Sequence, residues 1–383
     1  MKRILFIGLC ILTSFKSLAC DFSNVIFEHD FATARLGQCK QISDTRFELT
    51  IFPELTAKNK PPINNSPWYA FKVTAKSETN IKIVMKVVGG EHRYPPKVSQ
   101  DGKHWQLQKY RLRNKKMSFQ LNVSDKPTWI SAQEILTNEQ YFQWGRNLAE
   151  QENIIQTVLG HSTQKKPIYK IETQGEGKNW LVVLGRQHPP EVTGALAIFP
   201  FTETLLSNSD LALEFRKQFN VLVIPNLNPD GVQLGHWRHN ANGIDLNRSW
   251  KTFDQIESKQ VDDYLTALVG QKQKMRMAVD FHSTKQDIFY TMPSDYGMAQ
   301  PYLVETWLNS LDKEYPDFNV IQKPGNNPGK GVFKQYFTDK FKAHAITYEM
   351  GDNTDRRFID KLAVSAANTL MTTLISSDPV TGK

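Results

Sequence analysis

At 383 residues, with 40% hydrophobic and 22% charged side chains, the chain has ordinary globular usage, which excludes a disordered or low-complexity polymer. The formal net charge is +8, but the basic residues are scattered apart from short clusters such as Lys109–Arg113 and Lys115–Lys116. That distribution reads as a solvated surface, with an anionic cell-envelope partner as the alternative, and not as a nucleic-acid interface.

The first residues follow a signal-peptide plan: Lys2 and Arg3, an apolar run from Ile4 to Leu12, then Ser17-Leu18-Ala19 at a cleavage site. The run is too short to span a bilayer comfortably, and no other stretch reads as a transmembrane segment. Residues 1–19 are therefore expected to direct export, to the periplasm or beyond, with the mature chain starting near Cys20. Cys10 leaves with the leader, and Cys20 and Cys39 remain as an even pair suited to a disulfide in an oxidising compartment. The alternative is lipidation of Cys20. Against it, Ser17 stands where a lipobox carries Leu, and Cys39 would be left alone.

From residue 20 to 143, short apolar alternations such as Phe47–Ile51, Tyr69–Val73, Ile81–Met85 and Phe119–Val123 are broken by turn residues. Period-two alternation means strands with one wet face, so an antiparallel β-sandwich of about seven to nine strands is expected. Trp68, Trp105 and Trp129 are expected to pack in or on its sheets.

At Trp144 the period changes. Trp144, Leu148, Ile154, Ile155 and Leu159 suit a helix, followed by a strand at Ile168–Glu172, a strand at Trp180–Leu184 and a helix from Thr193 to Ser207. Strands at Val221–Pro225, Met277–Phe281 and Ala345–Glu349 then alternate with helices near 255–268, 301–311 and 357–375. This predicts a second domain, residues 144–383, of the α/β class with a doubly wound, mostly parallel sheet.

Gly185-Arg186-Gln187-His188-Pro189-Pro190-Glu191 lies between the apolar strand and the helix after it. A turn at the carboxyl end of a central strand opens into the crevice where such sheets bind ligands. His188 and Glu191, three residues apart, can converge there on Zn2+ and leave room for a third ligand and for water. A surface His beside a helix-start Glu is the bland alternative. Downstream come Asn228-Pro229-Asp230-Gly231-Val232, then Arg238, then Gly243-Ile244-Asp245-Leu246-Asn247-Arg248. Asp280-Phe281-His282-Ser283 ends one predicted strand and Thr347-Tyr348-Glu349 ends another.

In this order the motifs resemble those of the zinc metallocarboxypeptidases. Ser66–Phe71, the Trp105 that follows Asp101-Gly102, and Tyr141-Phe142 are similar to the β-domain of the cytosolic-carboxypeptidase, or deglutamylase-like, branch. The resemblance implies one Zn2+ per chain, held by His188, Glu191 and His282, with Asp245 orienting His188. It implies Glu349 as general base and acid, Arg238 as the group that polarises the scissile carbonyl, and Asn247 with Arg248 as the grip on the substrate's terminal carboxylate. The chain departs from the branch at Pro190, where Gly is usual, and at Ser283-Thr284-Lys285, where further His is usual. Tyr336 is near in sequence to the place of the mobile tyrosine that closes over substrate in the digestive enzymes.

In the resembling enzymes the side-chain pocket is lined from the segment before the catalytic Glu, here Gly329–Lys334. A lysine there would attract an acid, which implies preference for C-terminal Glu or Asp with Lys334 as selector and Lys330 second; lysines solvated on a helix are the alternative. The expected partners are peptide or protein C-termini, with peptidoglycan stem peptides as another candidate substrate. Two competing readings are a zinc deacylase acting on N-acyl amino acids and a non-catalytic peptide-binding protein.

Overall fold

The structure, a computed structural model, describes residues 20–57 and 65–377; the expected signal segment 1–19 lies outside the described residues. The amino-terminal part contains strands β1 (Cys20–Asp21), β2 (Val25–Glu28), β3 (Gln38–Ser43), β4 (Arg46–Ile51), β5 (Ala70–Ala75), β6 (Thr79–Val87), β7 (Lys97–Ser99), β8 (Gln106–Leu107), β9 (Arg111–Arg113), β10 (Lys116–Val123) and β11 (Thr128–Ser131). They form two sheets, ordered β1-β2-β5-β11-β7-β8 and β3-β4-β6-β10-β9. Alternation decides which face is inside. On β10, Met117, Phe119, Leu121 and Val123 are buried while Lys116, Gln120 and Asn122 are exposed, and the buried set meets Phe27, Phe47 and Phe71 in one core.

Two details differ from expectation. The sandwich has more strands than the alternation alone suggested, because short edge strands such as β8 and β9 carry no apolar pattern. The pair β4 and β6 is parallel, whereas every other pair in these sheets is antiparallel. Of the three tryptophans only Trp68 is core, donating its indole N–H to the Thr33 carbonyl at 2.9 Å. Trp129 is half-buried with the Lys72 ammonium 4.2 Å from its ring centroid, and Trp105 is half-buried as well. A Cys20–Cys39 disulfide ties β1 of one sheet to β3 of the other, so Cys20 takes the disulfide of the two alternatives.

The rest of the chain forms α1 (Asn138–Leu148), β12 (Ile154–His161), β13 (Pro167–Thr173), β14 (Asn179–Gly185), α2 (Val192–Leu205), α3 (Asp210–Gln218), β15 (Phe219–Ile224), α4 (Pro229–Gln233), α5 (Ile256–Gly270), β16 (Lys274–Thr284), β17 (Ile288–Thr291), α6 (Leu303–Glu314), β18 (Gln322–Pro324), α7 (Phe333–Phe341), β19 (His344–Gly351) and α8 (Arg356–Ser377). Their eight-stranded sheet runs β12-β13-β15-β14-β16-β19-β17-β18. The centre, β15-β14-β16-β19, is parallel. At its two flanks β13 pairs antiparallel with β15 and β17 antiparallel with β19. Helices α2, α3, α6 and α8 cover one face through Leu181, Val183, Val279 and Ile346. The opposite face, carrying Val182, Leu184, Ala278 and Ala345, packs on α5 and α7. No described helix is long and apolar enough to cross a membrane.

The helix expected across Trp144–Leu159 is only half present. A capping box at Thr137 and Gln140 starts α1 earlier, and Asn153, with φ at 62°, turns the chain. The β-branched Ile154, Ile155, Thr157 and Val158 then extend as β12 against β13. Helix α1 thus carries the chain across position 143/144, where the domain junction was expected.

Candidate metal centre and cleft

His282 on β16 lies opposite Glu349 on β19, and Asp280 lies opposite Thr347. Tyr290 on β17 is opposite Thr347 in turn. Alternation therefore gathers Asp280, His282, Thr347, Glu349 and Tyr290 on one face at the carboxyl end of the sheet.

The turn after β14 brings in the other groups. Arg186 is buried in a left-handed conformation, φ 53°, and its guanidinium donates to the Pro189 carbonyl at 2.7 Å and to the Tyr141 hydroxyl at 2.9 Å. That clamp fixes the turn carrying His188, and Glu191 follows as the N-cap of α2. The first turn of α2 rests on β16 so closely that a Cβ at Gly194 would lie 2.2 Å from the His282 carbonyl oxygen.

His188 Nδ1 is 2.8 Å from Glu191 Oε1, His282 Nδ1 is 2.7 Å from Glu191 Oε2, and the two Nδ1 atoms are 3.2 Å apart. All three residues are buried and their ligand atoms lie within 4.8 Å of one another. Each ring turns its Nε2 to a carboxylate: His188 to Asp245 Oδ1 at 2.9 Å, His282 to Asp280 Oδ2 at 2.8 Å. With those N–H groups donating, both Nδ1 lone pairs and the Glu191 carboxylate point at one spot. Two lone pairs facing each other at that separation need a cation between them, and two imidazoles with a carboxylate are a zinc donor set.

The supporting network is continuous. Asp245 also accepts from the Asn247 backbone N–H at 2.9 Å and from Arg238 Nε at 2.8 Å. Gln187 Nε2 donates to Asp280 at 2.7 Å, and its Oε1 accepts from the Trp250 indole at 2.8 Å. Burial pushes the Glu191 carboxyl up, but the charges of His188 and His282 outweigh it and hold the group well below the carboxylate range. Glu349 moves the other way: burial first, then the neighbouring Glu191 charge, push it up to about 7. Its Oε2 is buried with no partner among the described residues, so it is free to bind a reactant.

One cleft of about 490 Å3 holds His188, Glu191, His282, Glu349, Arg238, Asn247, Arg248 and Lys334 together. Arg238 spends only Nε on Asp245, while Arg248 is 42% exposed and donates Nη1 to the Asn247 carbonyl at 2.7 Å. The Asn247 Oδ1 accepts from the Phe333 N–H at 2.9 Å and so positions the start of α7. Lys334, in the first turn of α7, is buried and donates to the carbonyls of Thr291 at 2.6 Å and Gly325 at 2.5 Å. It has no carboxylate partner among the described residues, and desolvation lowers its pKa to about 8.

One expectation fails here. Lys330 is exposed in the turn before α7 and does not line the cleft, because the chain only enters the cleft wall where α7 begins. Tyr336 points away from the cleft: it is two residues from Lys334 on a helix, so it faces the opposite side, stacked on Trp250 at 5.2 Å with its hydroxyl on Asp262. The tyrosine in the cleft is Tyr290.

Sequence reasoning missed Asp280, although its position two before His282 on a strand puts both on one face. It also missed two residues from the sandwich that carry no local signal. Arg93 reaches the cleft, held by Asp352 at 2.7 and 2.9 Å and by the Ser283 carbonyl at 3.1 Å. Glu54 is buried and accepts from the backbone N–H groups of Trp237, Arg238 at 2.9 Å and His239 at 3.0 Å, and from His239 Nδ1. Ala57 N–H adds a bond to the Gly243 carbonyl at 2.9 Å. The sandwich therefore fixes the loop that presents Arg238.

Glu54→Gln keeps the shape but turns an amide NH2 toward donors. It is expected to cost about 2 kcal/mol or more, read as a lower denaturant midpoint, with faster hydrogen exchange at the amides of 237–239. Unchanged exchange there would remove Glu54 from this role.

A sequence profile of the family described as Zinc carboxypeptidase matches residues 141–372, more than half of the chain. The chain is 25% identical over 299 residues to an uncharacterized protein of Zymomonas mobilis, covering 74% of this chain and 78% of that one. It is 26% identical over 265 residues to cytosolic carboxypeptidase 6 of Caenorhabditis elegans, covering 60% of this chain and 55% of that protein. Thus it spans only about half the length of that relative. Among solved structures, a metallo-carboxypeptidase of Burkholderia cenocepacia superposes with a TM-score of 0.78 at 15% identity, over 92% of this chain and 100% of that one. A Pseudomonas aeruginosa metallo-carboxypeptidase in complex with (2-guanidinoethylmercapto)succinic acid superposes with a TM-score of 0.75 at 18% identity, over 91% and 99%. At these identities the likeness is one of fold, and it extends over the sandwich as well as the eight-stranded sheet.

Proposed function

Because the chain belongs to the zinc carboxypeptidase family, we propose that it hydrolyses the C-terminal peptide bond of peptides or proteins, using one zinc ion per chain and preferring substrates that end in Glu or Asp. The observation that carries the reading is the convergence of His188, Glu191 and His282 with Glu349, Arg238, Asn247 and Arg248 in one cleft.

Each residue has a task in this account. Arg248 takes the substrate's terminal carboxylate in its planar fork, with Asn247 beside it, so that one residue extends beyond the scissile bond. Arg238, with its Nη groups not engaged by the described residues, donates to the carbonyl oxygen as negative charge develops. Glu349 takes a proton from the attacking water and returns it to the departing amine. Zinc, when held by the two imidazoles and Glu191, supplies Lewis-acid polarisation of the carbonyl and makes water acidic enough to lose a proton near neutral pH. Asp245 and Asp280 keep both rings in the tautomer this requires.

Lys334 supports the acidic preference. A buried ammonium held by two neutral carbonyls is costly, and a substrate carboxylate is the missing counter-charge. Replacing Lys334 by Met is expected to lower the ratio of kcat/KM for Glu-ended over Phe-ended peptides by about 10- to 100-fold. In the unaltered protein this ratio is expected to be full at neutral pH and to decline as pH rises through about 8, where Lys334 loses its charge. A flat ratio, or equal rates for Glu-, Phe- and Lys-ended peptides, would remove the selector.

Zinc content is checked by native mass spectrometry before and after chelation. One zinc per chain, with activity lost on removal and restored on return, is expected; activity that survives removal contradicts the proposal. Export, to the periplasm or beyond, is part of the same proposal and is supported by the Cys20–Cys39 disulfide, which suits an oxidising compartment.

A further inference from the structure

The five-stranded sheet of the sandwich buries one face and turns the other to solvent, and register determines what that outer face presents. Arg46 on β4 lies opposite Lys82 on β6. Lys86 on β6 lies opposite Lys116 on β10, which is itself opposite Arg113 on β9. Lys40 on β3 is opposite Glu48, and Arg111 is opposite Ser118. All these cations are exposed. Glu48 is the acid on this face, and Lys116 already engages it at 3.4 Å. Lys40, Arg46, Lys82, Lys86, Arg111 and Arg113 have no side-chain ion pair or hydrogen bond among the described residues.

Like charges directly opposite one another on a sheet are destabilising. Closing the sandwich core does not require them, since only the inner face packs, so the face keeps a cost that an anionic surface would relieve. Cations spread over a flat sheet match the plane of phosphates at the surface of a bilayer. A single-stranded nucleic acid would instead call for a groove lined with stacking aromatics.

We propose that the outer face of the β3-β4-β6-β10-β9 sheet docks the protein on the phosphate-bearing surface of an anionic lipid bilayer. The docking does not depend on the catalytic reading. It would hold the sandwich against a membrane whether or not the cleft turns over peptide.

The test is co-sedimentation of the full protein with vesicles of phosphatidylglycerol and phosphatidylcholine, against vesicles of phosphatidylcholine alone. Retention on the anionic vesicles only, weakening with salt, is expected. Lys82→Gln/Lys86→Gln should lower the partition coefficient about 25-fold, at about five-fold per cation. The control pair Lys313→Gln/Lys361→Gln, on α6 and α8, should leave it nearly unchanged. Both pairs remove two charges from the net +8, so they differ only in place. Since all four residues are exposed, circular dichroism should show every variant folded; Arg111→Gln/Arg113→Gln repeats the test if the first pair does not fold. Equal losses in the two pairs, no retention on anionic vesicles, equal retention on neutral ones, or tighter binding to single-stranded nucleic acid of equal charge would each overturn the proposal.

Discussion

Replacing Glu349 by Gln is expected to lower kcat by about 10²–10⁴-fold, with KM and zinc content little changed. The substitution keeps size but removes the only carboxylate among the described residues of the cleft that is not committed to the metal centre. Glu191 cannot replace it, because both of its oxygens face the Nδ1 atoms of His188 and His282. Glu349 Oε2, in contrast, is buried and unpartnered. A carboxylate with one buried, unpartnered oxygen is costly, and catalysis explains why it is kept. Steady-state kinetics on one short peptide, with metal analysis of the same sample, decide the matter. A fall in zinc content matching the fall in rate would make Glu349 structural.

Replacing Arg238 by Ala is expected to lower kcat by about 10²–10³-fold, the usual effect of removing one oxyanion donor. Asp245 loses the Nε bond at 2.8 Å but keeps His188 and the Asn247 N–H, so the His188 ring should stay oriented and the metal bound. The loss should therefore appear in kcat, unlike that of Arg248→Ala, which removes ground-state grip and should raise KM. If Arg238→Ala acts on KM alone, the residue binds substrate without helping the chemistry. Because Glu54 holds the Arg238 backbone, Glu54→Gln should shift kcat in the same direction by less, and add little on the Arg238→Ala background.

The parts of this molecule that are local in sequence were legible in it. His188 and Glu191 follow an apolar strand, His282 and Glu349 end two others, and those strands are adjacent and parallel, so residues distant in the chain share one face. Short or edge elements were less legible. Helix α7 has a Gly-rich approach and an N-cap with no side-chain bond, and without its start the facing of Lys330, Lys334 and Tyr336 stayed open. Strand β12 resembles helix in the sequence because the apolar residues Leu148, Ile154, Ile155 and Leu159 match a helical period, while the turn at Asn153 that resets it is a single residue. Glu54 and Arg93 were illegible for another reason. Each contacts its partner across more than a hundred residues of chain, |i−j| being 184 for Glu54 with Arg238 and 259 for Arg93 with Asp352, and no local pattern encodes that.

Mass spectrometry of a peptide library, varied at its C-terminal residue, after incubation with the zinc-loaded protein decides whether the cleft is that of a carboxypeptidase. Stepwise loss of single residues from the C-terminus is expected, fastest for Glu and Asp, and none from peptides whose terminal carboxylate is amidated. Internal cleavage, loss from the N-terminus, or equal trimming of amidated peptides would contradict it, since none of these uses the carboxylate grip of Asn247 and Arg248 beside the metal centre.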